Sequence, residues 1–379
     1  MEEIDLVVPM VFPQDYEWHR EYTLFHGDDA TGHVRFRSWG TEELLVRCCM
    51  KYMPWLHRIY ILLARESQVQ PWMNAMVGDG KPVTIVYHRE FMPDRALPCF
   101  SSPCIEMFLK DIPGLSEHFI YANDDMFPLS PLEPDDFFRD GRPCQIMKKA
   151  ACPSRPTLFH KFVINGLNMV AEPFGKRYTR TFLKNGHSLA PYLKSACEEV
   201  WRRHGREILS HLNPICRSAH SYCQYIYADY QYLAGLSVEH GPKIRYAGSD
   251  TPTSQLAAII RDPDCGIVCL NDNEDIDDWR ERAELVKKAI EAKLADEDTD
   301  PDSPADDTEE PGEADSDDDD GDGQEDTVEE EEAREGARPD TAERRHDDVP
   351  HGLRNTKTCG NRNIRVACCP CICPRGAVS

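Results

Sequence analysis

One acidic run divides this chain of 379 residues into two parts that cannot fold in the same way. Between Asp296 and Glu332 there are 22 aspartates and glutamates and no lysine or arginine. The run accounts for nearly all of the net charge of -24, so the residues before it are close to neutral. Because the run has too little apolar surface to offset the entropy lost on ordering, we predict that residues 296–350 form a disordered acidic linker.

The cysteines follow the same division. Five of the 16 lie between Cys359 and Cys373, in a tail (351–379) that lacks the paired CxxC spacing of a zinc finger and whose role stays open. The other eleven are scattered through apolar segments, which is typical of reduced, buried thiols in a cytosolic enzyme. No signal-peptide pattern begins the chain and no run approaches the ~20 apolar residues of a membrane span, so we expect a cytoplasmic protein.

Strand and helix patterns alternate through the first 150 residues. The apolar, β-branched runs that predict buried strands are Ile4–Phe12, Arg58–Ala64, Val83–His88 and His118–Ala122. Helical spacing predicts a helix over Thr41–Met53 and a short one over Cys104–Lys110. This alternation is typical of the α/β class, with a mostly parallel sheet covered on both faces.

The pattern after Pro153 is mainly helical. The predicted helices are Leu158–Val170, Leu189–His204, Ala219–Leu233 and the strongly periodic Asp277–Leu294. We therefore predict one domain over residues 1–295, in which an α/β part (1–150) is joined by a helical lobe (151–295).

Two adjacent carboxylates follow the predicted strand at His118–Ala122. Ligands of open α/β sheets bind at the carboxyl ends of the strands, where Asn123-Asp124-Asp125 would lie. Carboxylate and amide oxygens suit Mg²⁺ or Mn²⁺, and such an ion would neutralise the phosphates of a nucleotide-sugar. The same three residues are also ordinary turn chemistry, so both interpretations stay open.

Four further side chains are candidates for chemistry, each with a structural alternative. Asp5 lies inside an apolar strand run, where an unpaired charge is costly, and Asp15 follows in a turn. His187 on a loop suits general acid/base work, although most histidines are structural or solvated. Arg217 could clamp a phosphate beside a helix N-terminus, or lie at the surface. Phosphate-loop, GxSxG and HExxH motifs are missing, as is any pattern for nucleic acid.

Four sequence blocks, in order, cover roughly Ile4 to Gly235. They are IDLVVPMVFPQDYEW, the long block from RFRSWGTEELLVRCCMKYMPWLHRIYIL to LPCFSSPCIEMFLKDIPGLSEHFIYANDDMFPLSPLEPDDFF, then FGKRYTRTFLKNGHSLAPYLKS, and finally ICRSAHSYCQYIYADYQYLAG. In these blocks the chain resembles the Stealth family of hexose-1-phosphotransferases. That family includes bacterial capsular polysaccharide phosphotransferases and the animal lysosomal-enzyme N-acetylglucosamine-1-phosphotransferase.

This resemblance implies a fold and a reaction. The fold would be a Rossmann-like or GT-A-like core with an added helical lobe. The reaction would move a hexose-1-phosphate from a UDP-sugar to a sugar hydroxyl, releasing UMP, in capsular or exopolysaccharide synthesis. The implied cofactor is Mg²⁺ or Mn²⁺, and the implied partners are the UDP-sugar donor and a saccharide or polysaccharide acceptor. We also expect peripheral association with membrane-bound capsule machinery at the inner membrane face.

The resemblance also assigns roles by position. Asp124 and Asp125 match metal-associated residues, Asp5 an aspartate near the nucleotide, and His187 and Arg217 residues of the catalytic centre. His187 is the candidate base, with Asp5 as an alternative. The residues expected to bind substrate are Arg47, Ser102, Glu106 and Asp15.

The chain departs from the family pattern in two blocks. VPMVFP stands where the first block usually reads YTWVDG or YTWVNG, and Ala219, His220 and Ser221 stand where the fourth usually has an acidic pair. Two alternatives therefore stay open. One is a metal-dependent glycosyltransferase, in which the acceptor attacks the anomeric carbon. The other is a non-catalytic, carbohydrate-binding relative.

Overall fold

The computed structural model describes residues 2–27, 35–272 and 276–296, and the predicted acidic linker from residue 297 onward and the Cys-rich tail lie outside these ranges. The strands are β1 (Ile4–Pro9), β2 (Arg58–Leu63), β3 (Val83–Tyr87), β4 (His118–Tyr121), β5 (Met126–Pro128), β6 (Phe138–Arg139), β7 (Arg142–Pro143), β8 (Met147–Ala151), β9 (Thr181–Asn185), β10 (Ala190–Leu193), β11 (Ile244–Ala247) and β12 (Ile267–Leu270). The α-helices are α1 (Tyr16–His26), α2 (Glu42–Tyr52), α3 (Pro71–Met76), α4 (His88–Phe91), α5 (Ser102–Glu106), α6 (Leu158–Ala171), α7 (Lys194–His211), α8 (Tyr225–Leu233), α9 (Thr253–Arg261) and α10 (Trp279–Asp296).

Five strands form the central sheet, in the order β10–β4–β1–β2–β3. β1 pairs in parallel with β2 and with β4, and β2 pairs in parallel with β3, whereas β10 runs antiparallel to β4. The four strands predicted in the first 150 residues correspond to β1–β4 to within a few residues at their ends. The predicted α/β class with a mostly parallel sheet is confirmed.

Both faces of the central sheet are buried. In β1, Leu6 and Val8 belong to the apolar core that contains α2, α9 and α10, whereas Val7 belongs to the core on the other face, with α6, α7 and α8. All three side chains have no exposed surface. Since successive strand residues point to opposite faces, a strand covered on both sides must be apolar throughout, as IDLVVP is after its aspartate.

A second sheet of three strands, β11–β12–β5, is attached at the end of β4. β5 begins directly after Asp125, and it pairs antiparallel with β12. The backbone N–H of Leu270, the last residue of β12, donates to the carbonyl of Asp125 at 2.9 Å. Residues from β12 are thereby brought back to the turn that follows β4.

The second half of the chain is less helical than predicted. Strands β9, β10, β11 and β12 lie within it, and the helix predicted over Ala219–Leu233 begins only at Tyr225. Helices α6, α7 and α8 are present, but the prediction of helix over the whole of Leu189–His204 is wrong, since Ala190–Leu193 form β10 and α7 starts at Lys194. Pro191, which has no backbone N–H to donate, is tolerated in β10 because this strand lies at the edge of the sheet.

The eleven cysteines of the described ranges are free thiols, and nine of them are buried, as expected for reduced core residues. In the same ranges, no helix is both long and apolar enough to cross a bilayer.

Candidate active site

Asp124 and Asp125 lie in the turn between β4 and β5, at the carboxyl edge of the parallel strands. The Asp124 side chain is exposed, whereas that of Asp125 is half-buried. Asp125 Oδ2 accepts a hydrogen bond from Asn271 Nδ2 at 3.2 Å and lies 3.6 Å from the Cys269 thiol. Its other oxygen, Oδ1, is buried and has no hydrogen-bond partner among the described residues. An unpaired carboxylate oxygen of this kind is costly unless a cation or a ligand group meets it.

His187 reaches the same place from the loop between β9 and β10. Its ring packs edge-on against Tyr246 of β11, with the ring centroids 5.8 Å apart. Its Nε2 is buried and, within the part of the chain that the structure describes, has no partner. Ligand atoms of Asp125, His187 and Cys269 all lie within 4.8 Å of one another. These three side chains can therefore hold a divalent metal ion.

The electrostatics of the turn are those of crowded carboxylates. The pKa of Asp124 is raised to about 7, although water reaches its side chain. The largest cause is the loss of hydration to the surrounding protein, and the negative charges of Asp125 and Glu42 add to it. Burial also raises the pKa of Asp125, and the neighbouring His187 opposes that rise. A bound cation would favour the ionised form of both acids, so the carboxylates and a metal ion stabilise each other.

The Cys269 thiol responds to the same surroundings. Burial is the main cause that raises the pKa of the Cys269 thiol well above its usual range, and the negative charge of Asp125 raises it further. Without a metal ion the side chain therefore stays a neutral thiol that donates toward Asp125.

Arg217 and residues of α5 form a second cluster of polar side chains near the turn. Its Nη2 donates to Ser102 Oγ at 2.8 Å. Burial of Glu106 raises its pKa, the protein around Asp124 raises the pKa of that acid, and the positive charge of Arg217 partly opposes both rises. Arg217 is therefore close enough to the carboxylates of the turn to act on a negatively charged ligand bound there.

Glu106 is buried beneath this group and holds two elements together. One of its oxygens accepts from the backbone N–H of Gln224 at 2.8 Å, and the other accepts from the Tyr121 hydroxyl at 3.3 Å. Tyr121 is the last residue of β4, and Gln224 immediately precedes α8. Glu106 thereby positions the start of α8 against the strand that carries the Asp124 turn.

Asp5 lies at the opposite end of its strand from this site. It is the second residue of β1 and is in register with Phe119, five residues before Asp124, which corresponds to about 16 Å along a strand. Its buried carboxylate contacts His57 Nδ1 at 2.9 Å and accepts from the backbone N–H of Ser116 at 2.7 Å. The structure therefore does not bring Asp5 to Asp124.

Two further residues expected to bind substrate lie within α2 and at the start of α1. Arg47 is exposed on α2. Asp15 is the N-cap of α1, where its Oδ1 accepts from Trp18 N at 2.7 Å and from the Ser67 hydroxyl at 3.0 Å. Ser102 and Glu106 both lie near Arg217, as described above.

Cys269 and Asn271 were not predicted from the sequence as site residues, although a sequence pattern points to them. The run IVCL of β12 is followed by Asn271-Asp272, just as the run HFIYA is followed by Asn123-Asp124. An apolar strand ending in Asn-Asp thus occurs twice in this chain, and both copies end at the site. Glu42, whose carboxylate raises the pKa of Asp124, was also missed because it reads as an ordinary first-turn residue of α2.

Comparison with known proteins gives a consistent result. The family model described as Stealth protein CR2, conserved region 2, matches residues 35–145. The exopolysaccharide phosphotransferase cps2G of Lactiplantibacillus plantarum is 38% identical over 143 residues, which are 37% of this chain and 41% of that protein. The receptor polysaccharide phosphotransferase WefC of Streptococcus oralis is 32% identical over 58% of this chain and 68% of its own.

Alignments with other relatives extend further along the chain. The capsular polysaccharide phosphotransferase WcwK of Streptococcus pneumoniae is 27% identical over 79% of this chain and 99% of its own. Among solved structures, the galactosyltransferase LgtC in complex with donor and acceptor sugar analogues aligns with 76% of this chain and 95% of its own. Its TM-score is 0.37 and its sequence identity 12%, and this likeness carries no argument about function.

Proposed function

This chain belongs to the Stealth family of polysaccharide phosphotransferases, and on that basis we propose that it transfers a hexose-1-phosphate from a UDP-sugar to a saccharide hydroxyl. The acceptor oxygen attacks the phosphorus that bears the sugar, and the bond from that phosphorus to the UMP oxygen breaks. The sugar keeps its anomeric oxygen, the product is a phosphodiester, and the hydroxyl proton passes to a base. The product would enter capsular or exopolysaccharide synthesis, as the names of the relatives suggest.

One observation carries the assignment of residues. His187, with a buried and unpartnered Nε2, lies beside the Asp125 carboxylate, whose Oδ1 is also unpartnered among the described residues. In the proposed reaction Asp124 and Asp125 would hold Mg²⁺ or Mn²⁺, and such an ion would supply positive charge for the phosphates and the leaving UMP. His187 takes the proton of the acceptor hydroxyl. Arg217, oriented by Ser102, stabilises charge on the transferring phosphate.

The remaining sequence-based roles are kept only where the geometry supports them. Glu106 acts by positioning α8, and Asp5 by joining the starts of strands, so neither is a base in this proposal. We place the reaction in the cytoplasm, at the inner face of the membrane that receives the polysaccharide. The donor and the acceptor are a UDP-sugar and a saccharide or polysaccharide.

The test is to incubate the purified protein with a panel of UDP-sugars, Mg²⁺ or Mn²⁺, and saccharide acceptors, and to identify the released nucleotide by chromatography. The proposal expects metal-dependent release of UMP and a phosphodiester signal in ³¹P NMR. Asp124→Asn should abolish this release, whereas Asp135→Asn, at an exposed aspartate near the start of β6, should not. Release of UDP would identify a glycosyltransferase instead, and binding without release a non-catalytic relative.

His187→Ala tests the proposed base separately. Loss of a general acid/base group lowers turnover by roughly 100-fold or more. The variant should still bind the UDP-sugar, since the proposal assigns donor binding to the metal and Arg217. Unchanged turnover would exclude His187 as the base.

A further inference from the structure

We infer that Asp125, His187 and Cys269 form a site for a thiophilic divalent cation of the Zn²⁺ class, and that such an ion inhibits the enzyme. The site shares Asp125 with the Mg²⁺ or Mn²⁺ proposed for catalysis, but adds a nitrogen and a sulfur ligand. The inhibitory consequence rests on the proposed function, whereas the binding site rests on geometry alone.

The three ligands converge from separate parts of the fold. Asp125 is in the turn between β4 and β5, His187 is on the loop between β9 and β10, and Cys269 is in β12. Zn²⁺ bonds of about 2.3 Å to sulfur and about 2.0 Å to oxygen, at a tetrahedral angle, place these two ligand atoms about 3.5 Å apart. The Cys269 sulfur lies 3.6 Å from Asp125 Oδ2. This pair is therefore already spaced as two ligands of one tetrahedral ion.

Unsatisfied atoms and an outer hydrogen bond support the same site. Asp125 Oδ1 and His187 Nε2 are both buried without a partner in the described part of the chain. Asn271 donates to Asp125 Oδ2 at 3.2 Å, which fixes the orientation of the carboxylate as outer-shell groups do at metal centres. Three protein ligands leave a fourth tetrahedral position for water or a substrate oxygen.

The donor set discriminates between ions. Mg²⁺ takes oxygen ligands in octahedral geometry and does not select a thiolate, whereas Zn²⁺ accepts carboxylate, imidazole and thiolate together. A Zn²⁺ ion at this site would use the lone pair with which His187 accepts the proton of the acceptor hydroxyl. It would also occupy Asp125. Both effects stop the proposed transfer.

Co²⁺ provides a readout that does not depend on activity, because four-coordinate Co²⁺ bound to a thiolate absorbs strongly in the visible and near ultraviolet. The experiment uses the full chain with serine at its C-terminal cysteines, since those thiols would also bind the ion. The replaced residues are Cys359, Cys368, Cys369, Cys371 and Cys373. Addition of Co²⁺ should produce the thiolate band, and excess Zn²⁺ should displace it.

Variants then identify the ligands. Cys269→Ser should remove the thiolate band, whereas Cys265→Ser, which changes another buried free thiol just before β12, should retain it. His187→Gln should weaken Co²⁺ binding at least tenfold, and it serves as a second test if Cys269→Ser folds poorly. A thiolate band that persists unchanged in both Cys269→Ser and His187→Gln would overturn the site.

Inhibition is measured separately from binding. Zn²⁺ at concentrations that displace Co²⁺ should suppress Mg²⁺-dependent UMP release, and a chelator selective for Zn²⁺ should restore it. Full UMP release with Zn²⁺ bound would overturn the inhibitory role. If the protein releases no UMP under any condition, the proposed function and the inhibitory role both fail, and the Co²⁺ spectrum still decides whether the site exists.

Discussion

Arg37 and Asp272 form a bidentate ion pair in which the guanidinium Nε and Nη2 donate to the two carboxylate oxygens at 2.6 and 2.5 Å. The side chains are 1% and 13% exposed. Trp39 Nε1 donates to the same carboxylate at 2.9 Å, and the Trp279 ring lies 4.9 Å from the guanidinium carbon. The pair ties the segment before α2 to the loop after β12, which carries Asn271 to the Asp125 carboxylate.

Asp272→Asn should lower the free energy of unfolding by about 3–5 kcal/mol, because it removes the negative charge of the carboxylate that accepts two hydrogen bonds from the buried Arg37 guanidinium. Urea denaturation followed by circular dichroism measures the change. Asp262→Asn is the matched control, since its partner Arg245 is 58% exposed and an exposed pair contributes at most about 1 kcal/mol. Equal losses in the two variants would contradict the role assigned to the Arg37–Asp272 pair.

The contact between Arg217 and Ser102 allows a graded test of phosphate stabilisation. Arg217→Lys should lower kcat by about 10²–10³, because lysine keeps the charge but loses the planar fork that Ser102 orients. Ser102→Ala removes only the hydroxyl and should lower kcat roughly tenfold, the equivalent of one hydrogen bond to a charged group. Steady-state kinetics of UMP release provide the measurement. Arg202→Lys, at an exposed arginine of α7, is the control and should leave kcat unchanged. A larger loss of kcat from Ser102→Ala than from Arg217→Lys would contradict the proposal that Ser102 acts by orienting Arg217.

The sequence could predict those parts of the site whose signals are local. An apolar run followed by Asn123-Asp124-Asp125 predicts a buried strand with carboxylates at its carboxyl end, and β4 and its turn have that form. The cost of a charge within an apolar strand was also visible at Asp5. The contacts that compensate this buried charge could not be predicted, because the positions of His57 and Ser116 depend on how β2 and β4 align with β1.

The remaining part of the site depends on contacts between distant residues. Cys269 is 144 positions from Asp125, and the two meet because β12 pairs with β5. β5 has three residues and β10 four, which is too short for a clear periodic pattern in the sequence. The sequence therefore predicted the turn but not the sulfur ligand. It marked His187 as a candidate from its loop position, but only the resemblance assigned this residue to the catalytic centre.

Gly166 marks a close contact between α6 and α8. A Cβ at this position would lie 2.7 Å from Ile226 Cγ2, so Gly166→Ala should destabilise the protein by roughly 1–3 kcal/mol despite the better helix propensity of alanine. Thermal denaturation of single and double variants measures this cost. Ile226→Ala removes the contacting methyl group, so the double variant should lose less stability than the sum of the two single variants. Additive losses would show that overpacking is not the cause.

Asp229 in α8 is 1% exposed, and neither of its carboxylate oxygens has a hydrogen-bond partner among residues 2–27, 35–272 and 276–296. Burial raises its pKa well above the ordinary value, which is about 3.9 for the unfolded chain. Above that value the unfolded chain releases this proton while the folded protein keeps it. The contribution of Asp229 to stability therefore falls as the pH rises, by about 1.4 kcal/mol per pH unit until the folded-state pKa is reached.

Asp229→Asn removes this titration and nearly preserves the shape of the side chain. The free energy of unfolding of the variant, relative to the parent protein, should therefore increase between pH 4.5 and pH 7.5. Urea denaturation at several pH values measures the difference, with Asp135→Asn as the control at an exposed aspartate, for which no such slope is expected. A difference between Asp229→Asn and the parent protein that is constant across this range would mean that Asp229 ionises in the folded protein as it does in the unfolded chain, and that its carboxylate has a partner or water within reach.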